Sequence, residues 1–145
     1  MESLAHLFTR DLDKLKEEIS SYQNENNLWI TADGIANSGG NLTMHLTGNL
    51  LHFIGANIAN SGYKRDREHE FAGKDVPPSD LVQEIEATKA IIQETLPKLS
   101  PEQLSGPYPG KIPYEMNMEQ FLLHLYGHFT YHLGQINYHR RLLDQ

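Results

Sequence analysis

Two histidines near the end of the chain have the spacing of a helical metal site. His128 and His132 are four residues apart, so on a helix their side chains lie one turn apart on the same face. Two imidazole nitrogens in this arrangement can reach one metal ion. A third histidine, His45, lies on the expected inner face of an earlier helix, between Leu42 and Leu46. By itself the spacing is weak evidence, because a single inward histidine is more often a hydrogen-bonded core residue.

Burial gives a reason to expect these histidines to share a partner. A buried neutral imidazole has two ring nitrogens, and leaving one of them unpaired costs about 1–3 kcal/mol. A divalent metal takes one lone pair from each ring, and the other nitrogen can then donate to a carbonyl or carboxylate. His45, His128 and His132 are therefore the predicted metal ligands. His124, one turn before His128, is the substitute ligand.

Composition restricts the classes of partner. The 145 residues suit a single domain over 1–145, and the formal net charge of −7 works against binding nucleic acid or anionic lipid. With no cysteine, thiolate ligands and a protein thiol nucleophile are excluded. The N-terminus lacks a signal-peptide pattern and no apolar run is long enough to span a bilayer. We therefore expect a cytoplasmic protein.

Apolar residues recurring every three or four positions predict four helices of an all-α bundle. The predicted helices span residues 2–24, about 38 or 41 to 60, 79 to about 96, and 117 to about 143. Ser79 is the predicted N-cap of the third helix, and Ser100 and Asn117 have the spacing of capping boxes. Residues 62–78 are predicted to form a long polar loop without secondary structure, and such loops are often functional. Residues 28–30 are expected to pack onto the bundle.

Two segments resemble the DinB-like superfamily, which includes metal-dependent bacillithiol, mycothiol and glutathione transferases. They are NLTMHLTGNL at residues 41–50 and HFTYHLGQI at residues 128–136. The family signature pairs a histidine early in the second helix with His-x-x-x-His-x-Gly-Gln near the end of the chain. The resemblance covers nearly the whole chain and implies a four-helix bundle with up-down-down-up topology. It also implies a metal site at His45, His128 and His132, and often a homodimer; NSGGNL and KRDREHEF are similar to an uncharacterised branch.

The chemistry expected of such a site is that of a metal ion with open coordination positions. Such an ion acidifies bound water or a bound thiol. The resemblance favours transfer of a low-molecular-weight thiol, such as bacillithiol or glutathione, to an electrophilic carbon. Zinc, nickel, copper and iron all suit three imidazoles. The order of their affinities for such ligands does not identify which ion is bound.

Two alternatives stay open at this point. The first is metal-dependent hydrolysis by bound hydroxide, which is disfavoured because no inward Asp or Glu is expected beside the three ligands. The second is a non-enzymatic metal-binding module of a stress response. Turnover of an electrophile with and without thiol and metal separates the three hypotheses.

Several polar residues are expected near the site. Asn49, one turn after His45, is expected to orient a ligand or water in the same cavity, or else to cap a neighbouring backbone group. Arg65 and Arg67 are expected either to bind a carboxylate of the cosubstrate or to pair with loop acids at positions 68 and 70. Gln135, three residues after His132, is expected beside that ligand or in helix packing.

Some residues of the last helix and the remaining histidines are expected in other roles. Gly134 is expected to permit close approach of another helix. Tyr131 and Tyr138 are expected in packing or surface positions, and His52 near the pocket. The other histidines are expected at the surface; they are His6, His69 and His139.

Overall fold

In a computed structural model that describes residues 1–145, the chain is all-α, with two isolated β-bridges and no strand. The helices are α1 (Glu2–Ser20), α2 (Gly39–Leu50), α3 (Arg67–Ala72), α4 (Pro78–Thr95), α5 (Pro101–Ser105) and α6 (Met118–Leu143). The predicted fold class is confirmed, with α1, α2, α4 and α6 as the four long helices. The up-down-down-up order of their directions stays a prediction. No helix is both long enough and apolar enough to cross a lipid bilayer.

The long helices share one hydrophobic core. α1 packs on α4 and α6, and α2 packs on α3, α4 and α6. The apolar face of α1 is fully buried at Phe8, whose ring lies edge-on to the ring of Phe129 on α6, with 6.1 Å between centroids. Burying a side chain of this size contributes about 1.5–3 kcal/mol, so these contacts fix how α1 and α6 pack together.

The helix that carries His45 is surrounded on all sides. Every residue of α2 is buried, and the helix continues into a π-helical turn, Leu51–Ala56, where the amide of Asn57 bonds the carbonyl of His52 at 3.1 Å. The prediction of a regular helix to residue 60 was therefore wrong in its last turn. π-Helical turns are found mostly within α-helices and often at functional sites.

Several predicted boundaries need correction. α1 ends at Ser20, and Tyr22 is buried outside the helix. α4 begins at Pro78, so Ser79 is not its N-cap, and the Ser79 hydroxyl instead donates to the carboxylate of Asp80. Proline suits the first helical position because its missing N–H would be unpaired there anyway.

Two capping boxes and the packing of residues 28–30 follow the prediction more closely. Ser100 and Asn117 both form capping boxes with the glutamine three residues later. Leu28 is fully buried and Trp29 packs against the core, but Ile30 is 37 % exposed.

The predicted unstructured loop at 62–78 contains a helix. The Asp66 carboxylate accepts the backbone N–H of His69 and so caps α3, which packs against α2. The amide nitrogen of Asn41 on α2 donates to the carbonyls of Glu70 and Gly73 at 3.1 and 2.8 Å. Six residues are too few to form a helix alone, so these contacts with α2 explain why sequence periodicity did not predict it.

Candidate metal centre

The three predicted ligands come from two helices that pack against each other. His45 lies on α2 and is only 6 % exposed, whereas His128 and His132 on α6 are half-buried. The α6 pair is therefore less deeply buried than His45. Both rings lie at the rim of the bundle, where a ligand from solvent can approach them.

The ring nitrogens of the three histidines converge. Nε2 of His45 and Nε2 of His128 are 3.2 Å apart, and the potential ligand atoms of all three residues lie within 4.8 Å of one another. Two nitrogens that are each about 2.0–2.1 Å from one tetrahedral zinc ion are about 3.3 Å apart. His45, His128 and His132 could therefore hold a metal ion.

The other ring nitrogens of two histidines are already engaged. Nδ1 of His45 lies 2.9 Å from Glu70 Oε2, and Nδ1 of His132 lies 2.6 Å from Gln135 Oε1. Since both oxygens accept, each Nδ1 carries the proton and each Nε2 keeps its lone pair for a cation. The buried Nδ1 of His128 has no protein partner. This donor set fits a divalent metal.

Glu70 is the residue that sequence reasoning missed. It is 4 % exposed and receives two hydrogen bonds from Arg65, from Nε at 2.6 Å and from Nη2 at 2.8 Å. Burial by itself would raise the pKa of Glu70, but the hydrogen bonds from Arg65 and His45 outweigh it, so the pKa lies below its usual value. The expectation that no acid lies beside the ligands was therefore wrong.

A glycine on α2 makes room for this carboxylate. A Cβ on Gly48 would overlap Oε1 of Glu70, so any larger residue there would displace the carboxylate. Of the two interpretations of Arg65, pairing with a loop acid is the one that the structure shows. The only sequence signal for this pair was the charge pattern of residues 64–70, because the position of Glu70 depends on α3.

The electrostatic surroundings keep the α6 histidines neutral. Burial, followed by the neighbouring His132 and His45, lowers the pKa of His128 to about 4. Burial also lowers the pKa of His132, although its bond to Gln135 acts in the opposite direction. Neutral imidazole is the form that binds metal, so both rings are available near neutral pH.

A cleft of about 250 Å³ opens beside His45 and His128. Asn49 lines it, as predicted, and its buried Oδ1 has no hydrogen-bond partner. Arg67 also lines it, with its guanidinium 5.3 Å from the Phe71 ring centroid. The cleft therefore combines a free acceptor with a cation.

His124 lies at the outer side of the same cleft. It is exposed, its ring centroid is 5.0 Å from that of Tyr114, and it is not one of the three converging histidines. Its expected role as substitute ligand is thus not supported by this geometry. Gln135 lies beside His132, as expected.

His139 was expected at the surface, and this expectation was wrong. The residue is 2 % exposed, with Nδ1 2.7 Å from the Tyr22 hydroxyl and Nε2 3.0 Å from the Ile30 carbonyl. Both ring nitrogens thus have protein partners. His139 ties α6 to the segment after α1 and has no part in the candidate metal centre.

The protein is therefore an all-α bundle in which three histidines from the second and last long helices could hold a metal ion. The model of the DinB superfamily matches residues 8–136, so the chain belongs to that superfamily. This confirms the resemblance found in the two motifs. No curated protein matches the chain, and no solved structure does.

Proposed function

We propose that the protein binds one divalent metal ion through His45, His128 and His132 and transfers a low-molecular-weight thiol to an electrophilic substrate. The observation that carries the proposal is the convergence of three ring nitrogens beside a cleft with a free acceptor and a cation. Membership of the DinB superfamily supports it, because the resemblance is to metal-dependent thiol transferases. Since the chain has no cysteine, the thiol comes from a cosubstrate.

When bound, a divalent ion with open coordination positions lowers the pKa of a coordinated thiol, so that the sulfur reacts as thiolate. The carbon–sulfur bond forms as the electrophilic carbon releases its leaving group with the bonding electron pair. The thiol proton passes to water through the open cleft. Zinc, nickel, copper and iron are the candidate ions.

The protein's own residues orient the reactants. Glu70, held by Arg65, fixes the ring of His45, and Gln135 fixes the ring of His132. Arg67 pairs with a carboxylate of the cosubstrate, since guanidinium grips carboxylates in a bidentate manner. The free Oδ1 of Asn49 accepts a hydrogen bond from the bound molecule.

The buried carboxylate also bears on the hydrolase alternative. A general base must be free to take a proton from water. Both oxygens of Glu70 are engaged, Oε1 by Arg65 and Oε2 by Arg65 and His45. Glu70 is therefore a positioning residue, and transfer remains the preferred reaction.

The proposal includes a cytoplasmic location and a homodimer. A reducing compartment keeps low-molecular-weight thiols in the reactive form. A role in a stress response, as a catalyst or as a binding module, would follow if the electrophile is a toxic compound.

Metal analysis of untagged protein tests the site. We expect one ion per chain in the wild type and loss of that ion in His45→Ala and His128→Ala. His6→Ala changes an exposed residue of α1 and serves as the matched control. The site assignment is wrong if neither of the first two substitutions lowers metal content.

Electrophile consumption tests the reaction. With metal-loaded protein, loss of a model electrophile that requires added thiol supports transfer, and loss without thiol supports hydrolysis. A metal-loaded protein that consumes no electrophile under either condition would identify a binding module instead.

A further inference from the structure

Only two buried side-chain nitrogen or oxygen atoms have no hydrogen-bond partner, and both lie at the candidate metal centre. They are Oδ1 of Asn49, a residue that is 7 % exposed, and Nδ1 of His128. Both residues line the cleft beside His45. An unpaired buried polar atom is costly and rare in folded proteins, so two of them in one cleft require an explanation.

The other two histidines of the centre each have a side-chain oxygen behind the ring. Oε2 of Glu70 lies 2.9 Å from Nδ1 of His45. Oε1 of Gln135 lies 2.6 Å from Nδ1 of His132. Such a bond fixes the tautomer and the orientation of a metal-binding imidazole, and almost every histidine ligand has one. His128 alone lacks this oxygen.

The packing of the second long helix against α6 brings Asn49 toward His128. Nε2 of His45 lies 3.2 Å from Nε2 of His128. Two turns further along, the ring centroid of Phe53 lies 5.1 Å from that of Phe121. Contacts along this segment therefore proceed toward the beginning of α6, and Asn49 lies level with the turn before His128. Helical side chains tilt toward the N-terminus of their own helix, so these two side chains extend toward each other.

The two facing nitrogens determine the tautomer of His128 in the metal-free protein. Nδ1 of His45 carries the proton that bonds Glu70, so Nε2 of His45 has only a lone pair. A neutral His128 ring then directs an Nε2 proton at that lone pair across 3.2 Å. Its Nδ1 is left as a buried lone pair, which needs a donor such as an amide N–H.

A metal ion held by the three histidines reverses this requirement. It takes the lone pair of Nε2 of His128, as of any imidazole ligand. The proton leaves Nε2 for water in the cleft, and Nδ1 takes one up, so the ring stays neutral with a single proton. Nδ1 of His128 then donates and needs an acceptor.

We propose that Asn49 is the partner of Nδ1 of His128 and that its amide serves both tautomers. Nδ2 donates to Nδ1 in the metal-free protein, and Oδ1 accepts from Nδ1 when the metal is bound. The last torsion of asparagine is soft, and a half-turn about it exchanges the two ends of the amide. The inference rests on the metal site of the proposed function. Asn49 is a positioning residue, because it acts on the metal through His128.

The residue type at position 49 fits this double role. An amide has a donor at one end and an acceptor at the other, whereas a carboxylate can only accept. Glu70 suits His45 because Nδ1 of that ring keeps its proton in both states. An amide oxygen also has two acceptor sites, so Oδ1 of Asn49 can bond the ring and the bound molecule together.

Zinc affinity, measured by competition with a chromogenic chelator, tests the metal-bound state. Asn49→Leu removes both ends of the amide with little change in volume. It should raise the zinc dissociation constant about tenfold, the lower end of the range for such supporting residues. Asn49→Asp keeps an acceptor and should bind zinc at least as tightly as the wild type. Asn137→Leu is the matched control, since it removes a half-buried amide of α6 that donates to Glu18, and it should leave the affinity unchanged.

Nitrogen-15 NMR of histidine-labelled protein tests the tautomers directly, because protonated and bare ring nitrogens resonate far apart. In the metal-free wild type we expect the proton of His128 on Nε2, and zinc should move it to Nδ1. Asn49→Asp should place a proton on Nδ1 already without zinc, since its carboxylate can only accept. His128→Ala assigns the signals. A residue that served packing alone would change stability and not this pattern.

Several outcomes overturn the inference. One is a zinc dissociation constant of Asn49→Leu within about twofold of the wild type. Another is Asn49→Asp binding zinc as weakly as Asn49→Leu. A third is the same His128 tautomer in metal-free Asn49→Asp and metal-free wild type, and this measurement decides the inference even if Asn49→Leu fails to fold. A wild type that binds no zinc or other divalent ion overturns the proposed function, and the tautomer in metal-free Asn49→Asp still tests the contact with His128.

Discussion

Two histidines of this molecule are both buried, His45 at 6 % and His139 at 2 % exposure, but they differ in how many of their ring nitrogens have protein partners within the fold. His139 has a protein partner for each ring nitrogen, the Tyr22 hydroxyl and the Ile30 carbonyl. His45 has a fixed partner, Glu70, for Nδ1 only, and its Nε2 faces Nε2 of His128. Two lone pairs 3.2 Å apart repel, so one nitrogen must carry a proton or a cation must lie between them. An imidazole whose two nitrogens both have protein partners is structural. One whose Nε2 faces only another imidazole can bind a metal ion.

The comparison predicts its largest effect on metal affinity, from substitution of Glu70, the carboxylate that bonds Nδ1 of His45. Glu70→Gln keeps the shape but removes the charge that orients the ring and makes its Nε2 a better donor. Substitutions of such supporting residues lower metal affinity by about 10–100-fold. We expect a loss in this range, measured by competition with a chromogenic chelator.

A second buried carboxylate provides the matched control for Glu70. Asp11 is 3 % exposed, and it is bound by Arg10 and Tyr126 on the opposite side of α6 from the cleft. Asp11→Asn should leave metal affinity unchanged. Equal loss of affinity in both variants would show that buried charge in general, and not its contact with His45, controls the site.

His139→Ala should give the next largest effect, and on stability rather than metal binding. It leaves the Tyr22 hydroxyl and the Ile30 carbonyl without their partner and opens a cavity, which together cost about 2–4 kcal/mol. Urea unfolding of the metal-free protein measures the change, and His6→Ala should stay within about 0.5 kcal/mol of the wild type. If His139→Ala instead removed the metal from a folded protein, the distinction between the two histidines would fail.

The same two histidines show what the sequence can and cannot predict. Periodicity predicted the four long helices, because helix propensity and burial agree over many residues of α1 and α6. The i, i+4 spacing placed His128 and His132 on one face, since this depends on the helix alone. The contact of His45 with them was predicted through the family resemblance, because spacing does not determine which helices meet.

The parts that could not be predicted depend on contacts between distant segments. α3 exists because Asn41 and Asp66 satisfy its backbone groups, and Glu70 reaches His45 only because α3 forms. His139 lies among polar residues near the end of α6, and it is buried by the segment around Ile30, which has no periodic pattern. In both places a short segment without a periodic sequence pattern determines whether a titratable side chain is buried and which partners it has.

The smallest expected effect concerns folding stability at acid pH, and it arises at Asp11, outside the metal centre. Burial would raise the pKa of Asp11, but hydrogen bonds from Arg10, Tyr126 and Lys14 outweigh it and lower the pKa to about 2. A carboxylate with a pKa lower in the folded than in the unfolded state stabilises the fold above the unfolded value of about 3.9. This contribution disappears as the pH falls toward 2. The exposure of Arg10 limits it to about 1 kcal/mol.

Urea midpoints at pH 7, 4 and 2.5 test this prediction on metal-free protein. Asp11→Asn should be less stable than the wild type at pH 7, and the gap should narrow between pH 4 and 2.5. In that range the unfolded wild type binds a proton at Asp11, whereas the folded protein, with a pKa of about 2, still largely holds the carboxylate charged. Glu86→Gln, at a surface carboxylate bound by Lys16, changes an exposed ion pair and should have a smaller effect at pH 7. A gap that stays constant down to pH 2.5 would mean that Asp11 acts through its shape and not its charge. Its value as a control for Glu70 would then be lost, because only a charged buried carboxylate outside the metal centre isolates the effect of contact with His45.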